Sequence, residues 1–375
     1  MSPRAPQAPP RWLTLGLLGL VLGLSGAVLA KPQPLVKGPA QSPTTMQDWL
    51  RHPHSEKYYQ ESWTTILRSQ EGLILYLNFI YTNLGVFSGS TAVNASLALP
   101  GKTAKFYRYD YKTKDFSQDA ATGRIRIANS SMTLANGKDV TIAVAEKGFG
   151  LDLRLTGWMP GVKHHTGRLC LRDGCKEWVD HYVHVPRASV QGTLTLGGQT
   201  IPITGDAYLD HMVQNVLGTD YSTRWYTMRY FAPGHTVAFL VWDSPEDLQR
   251  ERIIRYFATD REKILTFGTQ FDLKTDAAKK DPKGHTYDTR FVFSAPPTAS
   301  GWSFSGEARG GRLHDRDALT ERLSWAERQV VGLVAGNPVF YRLEGKAQVT
   351  LGGPGGQTVP LDGTCLMESV VLGGE

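Results

Sequence analysis

An aspartate sits directly before a histidine in GDAYLDHMVQN, Gly205 to Asn215, at the end of a segment patterned like β-strands. An imidazole titrates near neutral pH and a carboxylate can fix its tautomer, so Asp210 and His211 are the candidate acid–base pair of this chain. Neighbours on a regular strand point to opposite faces, however, and only a bulge or a strand end would bring both into one cavity. Catalysis by Asp210 and His211 is conditional on that re-aiming. The other readings are contact with a ligand and a structural pair tying two parts of the fold together. Tyr208 shares strand parity with Asp210, and its phenol either lends a hydrogen bond inside an apolar site or packs as a ring.

Arg224, Trp225 and Arg229 in RWYTMRY mix guanidinium with aromatic surface, a combination suited to a phosphate, a carboxylate or a sphingoid headgroup, or to salt bridging at a domain junction. Glu368 lies in an otherwise apolar strand, so if buried it needs a partner, for which Arg224 and His211 are the candidates. His164 and His165 fall in a turn between strands and have no third ligand at useful spacing, so no metal is expected. No Gly-rich phosphate loop opens a helix and no Gly-x-Ser-x-Gly elbow occurs, which disfavours nucleotide-driven chemistry and serine hydrolysis. No cofactor is expected.

These residues must be positioned by strands. Ile125 and Ile127 alternate with Arg124 and Arg126, and Leu151, Leu153 and Leu155 alternate with Asp152, Arg154 and Thr156, the two-residue period of half-buried sheet. LILYLNFIY, Leu73 to Tyr81, is apolar on both faces and fits a strand with a packed interior and a second layer outside. Strands are also expected over His235–Trp242, Ile253–Thr259, Tyr287–Phe293, Val339–Leu351 and Thr364–Leu372. A helix is predicted from Leu319 to Val334, where Leu323, Ala326, Val330, Leu333 and Val334 form a stripe before Gly336 and Pro338. Many short antiparallel strands with few helices predict an all-β fold, and closure into barrels removes exposed edges.

The 375 residues exceed one hydrophobic core, and 41% apolar with 20% charged residues describes a folded chain. The net charge of +6 is spread thinly, which excludes a nucleic-acid partner and leaves at most a peripheral membrane contact. Arg4 and Arg11 before the apolar run Trp12–Leu24, and Val28-Leu29-Ala30 before Lys31, read as an export signal over residues 1–30, with an uncleaved anchor as the alternative. A linker is expected over residues 31–43. In an oxidising compartment Cys170 and Cys175 can close a small disulfide loop, and Cys365 reads as a buried, unreactive thiol.

The segment His184–Asn215, with a Pro-containing strand, a Gly-led strand, a hairpin and then Gly-x-x-Tyr-x-Asp-His, resembles a signature of the tandem lipocalin-like superfamily. It is most similar to the survival-factor family of oxidative-stress and sphingolipid-handling proteins. Ser62-Trp63-Thr64, Leu73–Gly85, Val185-Pro186-Arg187-Ala188, Arg224-Trp225, VAGNPVFYRLEG (Val334–Gly345) and GTCLME (Gly363–Glu368) carry the rest of the likeness. More distant relatives are the carotenoid 1,2-hydratases (hydroxyneurosporene synthases) and lipocalin-like Diels-Alderases. The hydratases carry Asp-His-x-Trp-Gly where this chain has Asp210-His211-Met212-Val213-Gln214, a departure in the chemistry rather than the fold.

The resemblance implies two lipocalin-like (calycin) barrels in tandem, here residues 44–218 and 219–375, around a dry hollow. The expected function is to bind a hydrophobic small molecule, a lipid or an isoprenoid, in a periplasmic or extracellular setting. Tyr208, His211, Arg224, Trp225, Arg229 and Glu368 would orient its polar end, and the family suggests lipid transfer or stress protection. Two other readings stand beside it: a cofactor-free hydratase or cyclase using Asp210 and His211, and an interaction module with filled barrels.

Overall fold

The computed structural model describes residues 33–34, 39–83, 89–322 and 337–372. The export signal over residues 1–30 lies outside them, as does the predicted helix beyond Arg322. Within the described part of that helix, Leu319–Arg322 forms one turn of 3-10 helix. No helix among the described residues is long and apolar enough to cross a membrane.

The alternation read from the sequence produces two large antiparallel sheets. In the first, strand Gln199–Gln214 is central, flanked by Tyr59–Ser69 on one side and by Trp178–Leu196 on the other. Its outermost strands are Lys105–Lys112 and Phe116–Asp119, which follow each other in the chain. The sheet curls until Tyr109 donates to the carbonyl of Lys147 at 2.9 Å and Tyr111 to Glu146, so side chains nearly close the barrel. The second sheet has nine strands, with Thr358–Val371 held between Arg224–Ala232 and Val339–Gly352. Its end strands, Ile264–Gly268 and Asp272–Asp276, are joined by three residues. The helical turn Gly218–Tyr221 lies between the two sheets in sequence.

Two expectations are corrected. The segment read as a linker supplies strands, since Gln33–Pro34 and Gln41–Pro43 both pair with Val162–Cys170. The helical turn after it, Met46–Trp49, is capped by Thr45 and plugs Trp49 into the first barrel, where its indole donates to the carbonyl of Gly123 at 2.8 Å. The barrels are also not hollow among the described residues. Trp49, Trp63, Phe79 and Phe149 fill the first interior, and a cluster that includes Phe239, Phe271, Phe291, Phe293 and Phe304 fills the second.

A third cluster lies between the barrels, where Ile66, Ile74, Tyr76, Val183 and Tyr208 of the first sheet meet Phe231, Ala238, Phe257 and Leu366 of the second. This explains the doubly apolar strand Ile74–Asn83: Leu75, Leu77 and Phe79 face inward while Ile74 and Tyr76 face the other barrel. Cys170 and Cys175 are disulfide-bonded, and Cys365 is buried, its thiol pushed up to about 12 by burial.

Gly205, within strand Gln199–Gln214 at the first position of Gly-x-x-Tyr-x-Asp-His, marks a close approach of two strands: a Cβ there would stand 2.2 Å from the carbonyl oxygen of Arg68 and 2.7 Å from the Cα of Ser69. Gly205→Ala is therefore expected to destabilise the first barrel by about 1–3 kcal/mol, by analogy with other overpacking changes. An unchanged urea midpoint would contradict it.

Candidate functional site

Strand parity decides where each candidate residue points. On Gln199–Gln214, Ala207 and Leu209 belong to the first interior, so His211 points inward while Tyr208 and Asp210 face the second barrel. Against Tyr59–Ser69 pairing continues in register past both residues, with Asp210 opposite Thr64 and His211 opposite Trp63, and against Trp178–Leu196 the extra residue of the irregularity beside Asp210, His184, belongs to the partner strand. No bulge re-aims either side chain there, and the condition for a shared catalytic dyad is not met. The same rule sends Arg229, Arg342 and Glu368 outward from the second barrel, because Met228, Tyr341 and Met367 fill its interior.

The outward residues meet in a buried ion network at the junction. Arg229 donates to Glu368 at 2.8 Å and lies 3.5 Å from Asp210, while Arg342 donates to Glu368 at 3.0 Å and to Asp315 at 2.5 Å. The Tyr208 hydroxyl donates to Asp210 at 2.9 Å, and Ser96 of the first sheet donates to Asp315 of the second at 2.6 Å. The partners of Glu368 are thus Arg229 and Arg342, in place of Arg224 or His211. Burial works against the charge on Glu368, yet the two guanidiniums hold its carboxyl below the usual range. Asp210 and Asp315 are lowered against the same opposition, Asp210 chiefly by His181 and Arg229, Asp315 chiefly by Arg342. An ionised Asp210 does not suit the general-acid role.

The acid–base neighbour of Asp210 is His181, whose Nε2 lies 3.4 Å away. Burial depresses the imidazole, so the ring is held neutral. His181 also lines a cleft of about 400 Å³, counting its mouth, between the barrels and beside the network. Its walls are apolar at Val162, Val183, Ala238, Leu240, Phe257 and Phe267, and its cations are Lys163, Arg229 and Arg255. The space in it that water can occupy is about 20 Å³, room for about one molecule. His164 reaches this cleft because the chain bulges after Lys163, and it stacks on Phe267 with ring centroids 5.7 Å apart.

A second constellation lies in the first barrel. His211 is fully buried, stacks on Trp63 at 4.4 Å, and directs Nδ1 to the carbonyl of Asp48 at 2.8 Å and Nε2 to Glu61 at 2.9 Å. Burial opposes the Glu61 charge, but hydrogen bonds from His211, His52 and Tyr59 hold its carboxyl below the usual range. With Glu61 ionised, the short contact requires a donor on Nε2 or a cation between the two groups. The ligand atoms of His52, Glu61 and His211 lie within 4.8 Å of one another, so this triad could hold a metal ion. His52 and Glu61 are near each other in sequence, but His211 comes from a remote strand, and no local spacing announces the triad.

Arg224 and Trp225 stand apart from both constellations. Arg224 sits at the end of its barrel, 3.8 Å from Asp288, and Trp225 packs near Tyr221 and Trp242. Sequence reasoning missed Arg342, Asp315, His181 and Arg255. The available signal was a charged or polar residue at an outward position of a strand apolar on both faces, as Arg255 is in Ile253-Ile254-Arg255-Tyr256-Phe257.

Two packed antiparallel barrels with a polar cluster and a cleft between them define a tandem lipocalin-like protein. The chain belongs to the Svf1 family, whose defining pattern matches residues 44–369. Among solved structures it is similar to an AttH-assigned protein from Nitrosomonas europaea, at 15% identity over 90% of this chain and 98% of that one, with a TM-score of 0.59. It is also similar to CghA crystallised with Sch210972, at 12% identity over 85% and 90% with a TM-score of 0.60. The kievitone hydratase of Nectria haematococca gives 11% identity over 84% and 88% with a TM-score of 0.54. At these identities the likeness establishes the fold. No curated protein sequence matches the chain significantly.

Glu368→Ala leaves Arg229 and Arg342 without their shared counter-charge and is expected to cost about 3–5 kcal/mol in chemical denaturation, as for other broken buried pairs. Because the folded carboxyls are lowered, their contribution is complete above the unfolded carboxylate pKa of about 4.3 and is lost as pH falls through the folded values. Glu368→Gln should flatten that acid limb of the stability profile. An unaltered limb would show that this network does not control acid unfolding.

Proposed function

We propose that the protein binds a hydrophobic small molecule, a lipid or an isoprenoid, in the cleft between its barrels. The single observation that carries this is the cleft itself, with apolar walls and a polar wall in one concave site between barrels whose interiors are filled. Burial of an apolar tail would supply most of the affinity, at roughly 25 cal/mol per Å² before ordering costs. The polar wall, with Tyr208 and Arg229 held by Asp210 and Glu368, would fix the orientation of the ligand. Since the space a water can occupy there is small, entry of a long tail requires the barrels to part slightly along the apolar seam. Lipid transfer and stress protection follow as roles for such a carrier.

A second reading, a cofactor-free enzyme, is favoured by His181 rather than by His211. A neutral imidazole lining the cleft next to an ionised carboxylate has the form of a general base. One experiment serves both readings. Titration with a hydrophobic fluorescent dye should saturate, and Ala238→Trp, which fills the cleft, should weaken it by about tenfold or more, the equivalent of 1.4 kcal/mol. Equal binding by the variant would remove the cleft reading. Chemical conversion of a bound isoprenoid that is lost in His181→Ala would move the protein to the enzymes.

Export is proposed with the carrier role. The charged and apolar pattern from Arg4 to Ala30 supports it, as does the Cys170–Cys175 bond, which belongs to an oxidising compartment. Mass spectrometry of the protein from its native source should give a mature N-terminus at Lys31. An intact residue 1–30 segment on protein in the cytosolic fraction would refute it.

A further inference from the structure

Arg255 is the cleft residue that the ion network leaves uncompensated. Of the three cations on the cleft walls, Lys163 is paired with Asp48 at 2.7 Å and Arg229 with Glu368 at 2.8 Å. Arg255 has no carboxylate within ion-pair distance among the described residues, although it is only 8% exposed. Its guanidinium donates instead to two backbone carbonyls, of His181 at 3.2 Å and Gly167 at 3.0 Å. Asp180 is near enough to favour the charge but is engaged by Arg168 through two bonds of 2.8 Å.

A buried cation without a counter-ion is costly, because desolvation is not offset by attraction. Burial pulls the Arg255 guanidinium down to about 10, a value at which it is still charged at neutral pH. The surroundings report the same excess: His164 is pushed down to about 4 by burial and by Arg255. Such a residue on a cleft wall has the form of a half-built ion pair, its planar fork suited to two oxygens of one anionic group.

We propose that the cleft takes an amphiphile with an anionic head, a carboxylate or a phosphate, whose oxygens pair with Arg255 while its apolar part lies against Val183, Phe257 and Phe267. This rests on the cleft reading above and adds the charge of the ligand. The backbone carbonyls of His181 and Gly167 fix the guanidinium in place, so the anion meets a pre-oriented donor. His164, neutral in the free protein, lines the same wall and can donate to the anion through one ring nitrogen, whereas the single N–H of a neutral His181 is directed to Asp210.

The test is calorimetric titration of the full chain with dodecanoate, dodecyl phosphate and dodecanol, which share a tail and differ in head charge. The two anions should bind at least about tenfold more tightly than the alcohol, a discrimination typical of one charge-assisted contact. Arg255→Gln should reduce that ratio below about threefold, and Arg255→Lys should keep part of it. Inorganic phosphate binding as tightly as dodecyl phosphate would support an anion at Arg255 and make a free anion its source. Equal binding of all three amphiphiles by the wild-type chain overturns the inference and leaves the cleft reading standing. Absence of binding by all three overturns both, and because these two outcomes use the wild-type protein they do not depend on whether a variant folds.

Discussion

The junction depends on one carboxylate shared by two guanidiniums. Glu368 stands between Arg229 and Arg342, and from these three groups hydrogen bonds and ion pairs reach Thr227, Asp210 and Asp315, and through Asp315 the Ser96 hydroxyl of the first barrel. Charges taken out of water tolerate little displacement, since attraction falls while desolvation stays. The apolar seam around them is non-directional and would accept several dockings of two curved sheets. The ions select one, and thereby fix the outline of the cleft beside them.

The sheets themselves were legible in the residue pattern because period two is dictated by backbone geometry. Alternation at Leu151–Thr156 and the doubly apolar run at Leu73–Tyr81 lead directly to observed strands, and to the face each residue occupies. The opposition of Asp210 and His211 follows from the same rule. What the pattern does not carry is which outward face meets which. Arg342 and Arg255 are ordinary charged letters until a second barrel covers them, and the His52, Glu61 and His211 triad joins three separate pieces of chain. The filled interiors were misjudged for a related reason: alternation counts inward side chains but not the radius they must fill.

The Pro-Arg-Ala element gains a physical meaning from this arrangement. Register shifts between Val183 and Val185 and between Val185 and Ala188 turn Arg187 toward the other barrel, where it is buried and donates to the carbonyls of Ala232 and His235, both at 2.6 Å. Its guanidinium also lies over the rings of Trp158 and Phe231. A motif that reads as a family fingerprint is, in the folded chain, a clasp on the hairpin of the neighbouring domain. Conserving such a clasp conserves the docking angle, which is compatible with different chemistries in the space it frames.

The place of Thr358–Val371 in the middle of its sheet has a further consequence for how the molecule comes into being. The first sheet has all its strands once synthesis passes Gln214, whereas the second must wait for a strand some 150 positions later, inserted between Arg224–Ala232 and Val339–Gly352. During that interval Ile66, Ile74, Tyr76 and Tyr208 form an uncovered greasy surface on a finished barrel. Apolar surface left open during synthesis favours aggregation, so the order of translation sets how long this face goes without its cover.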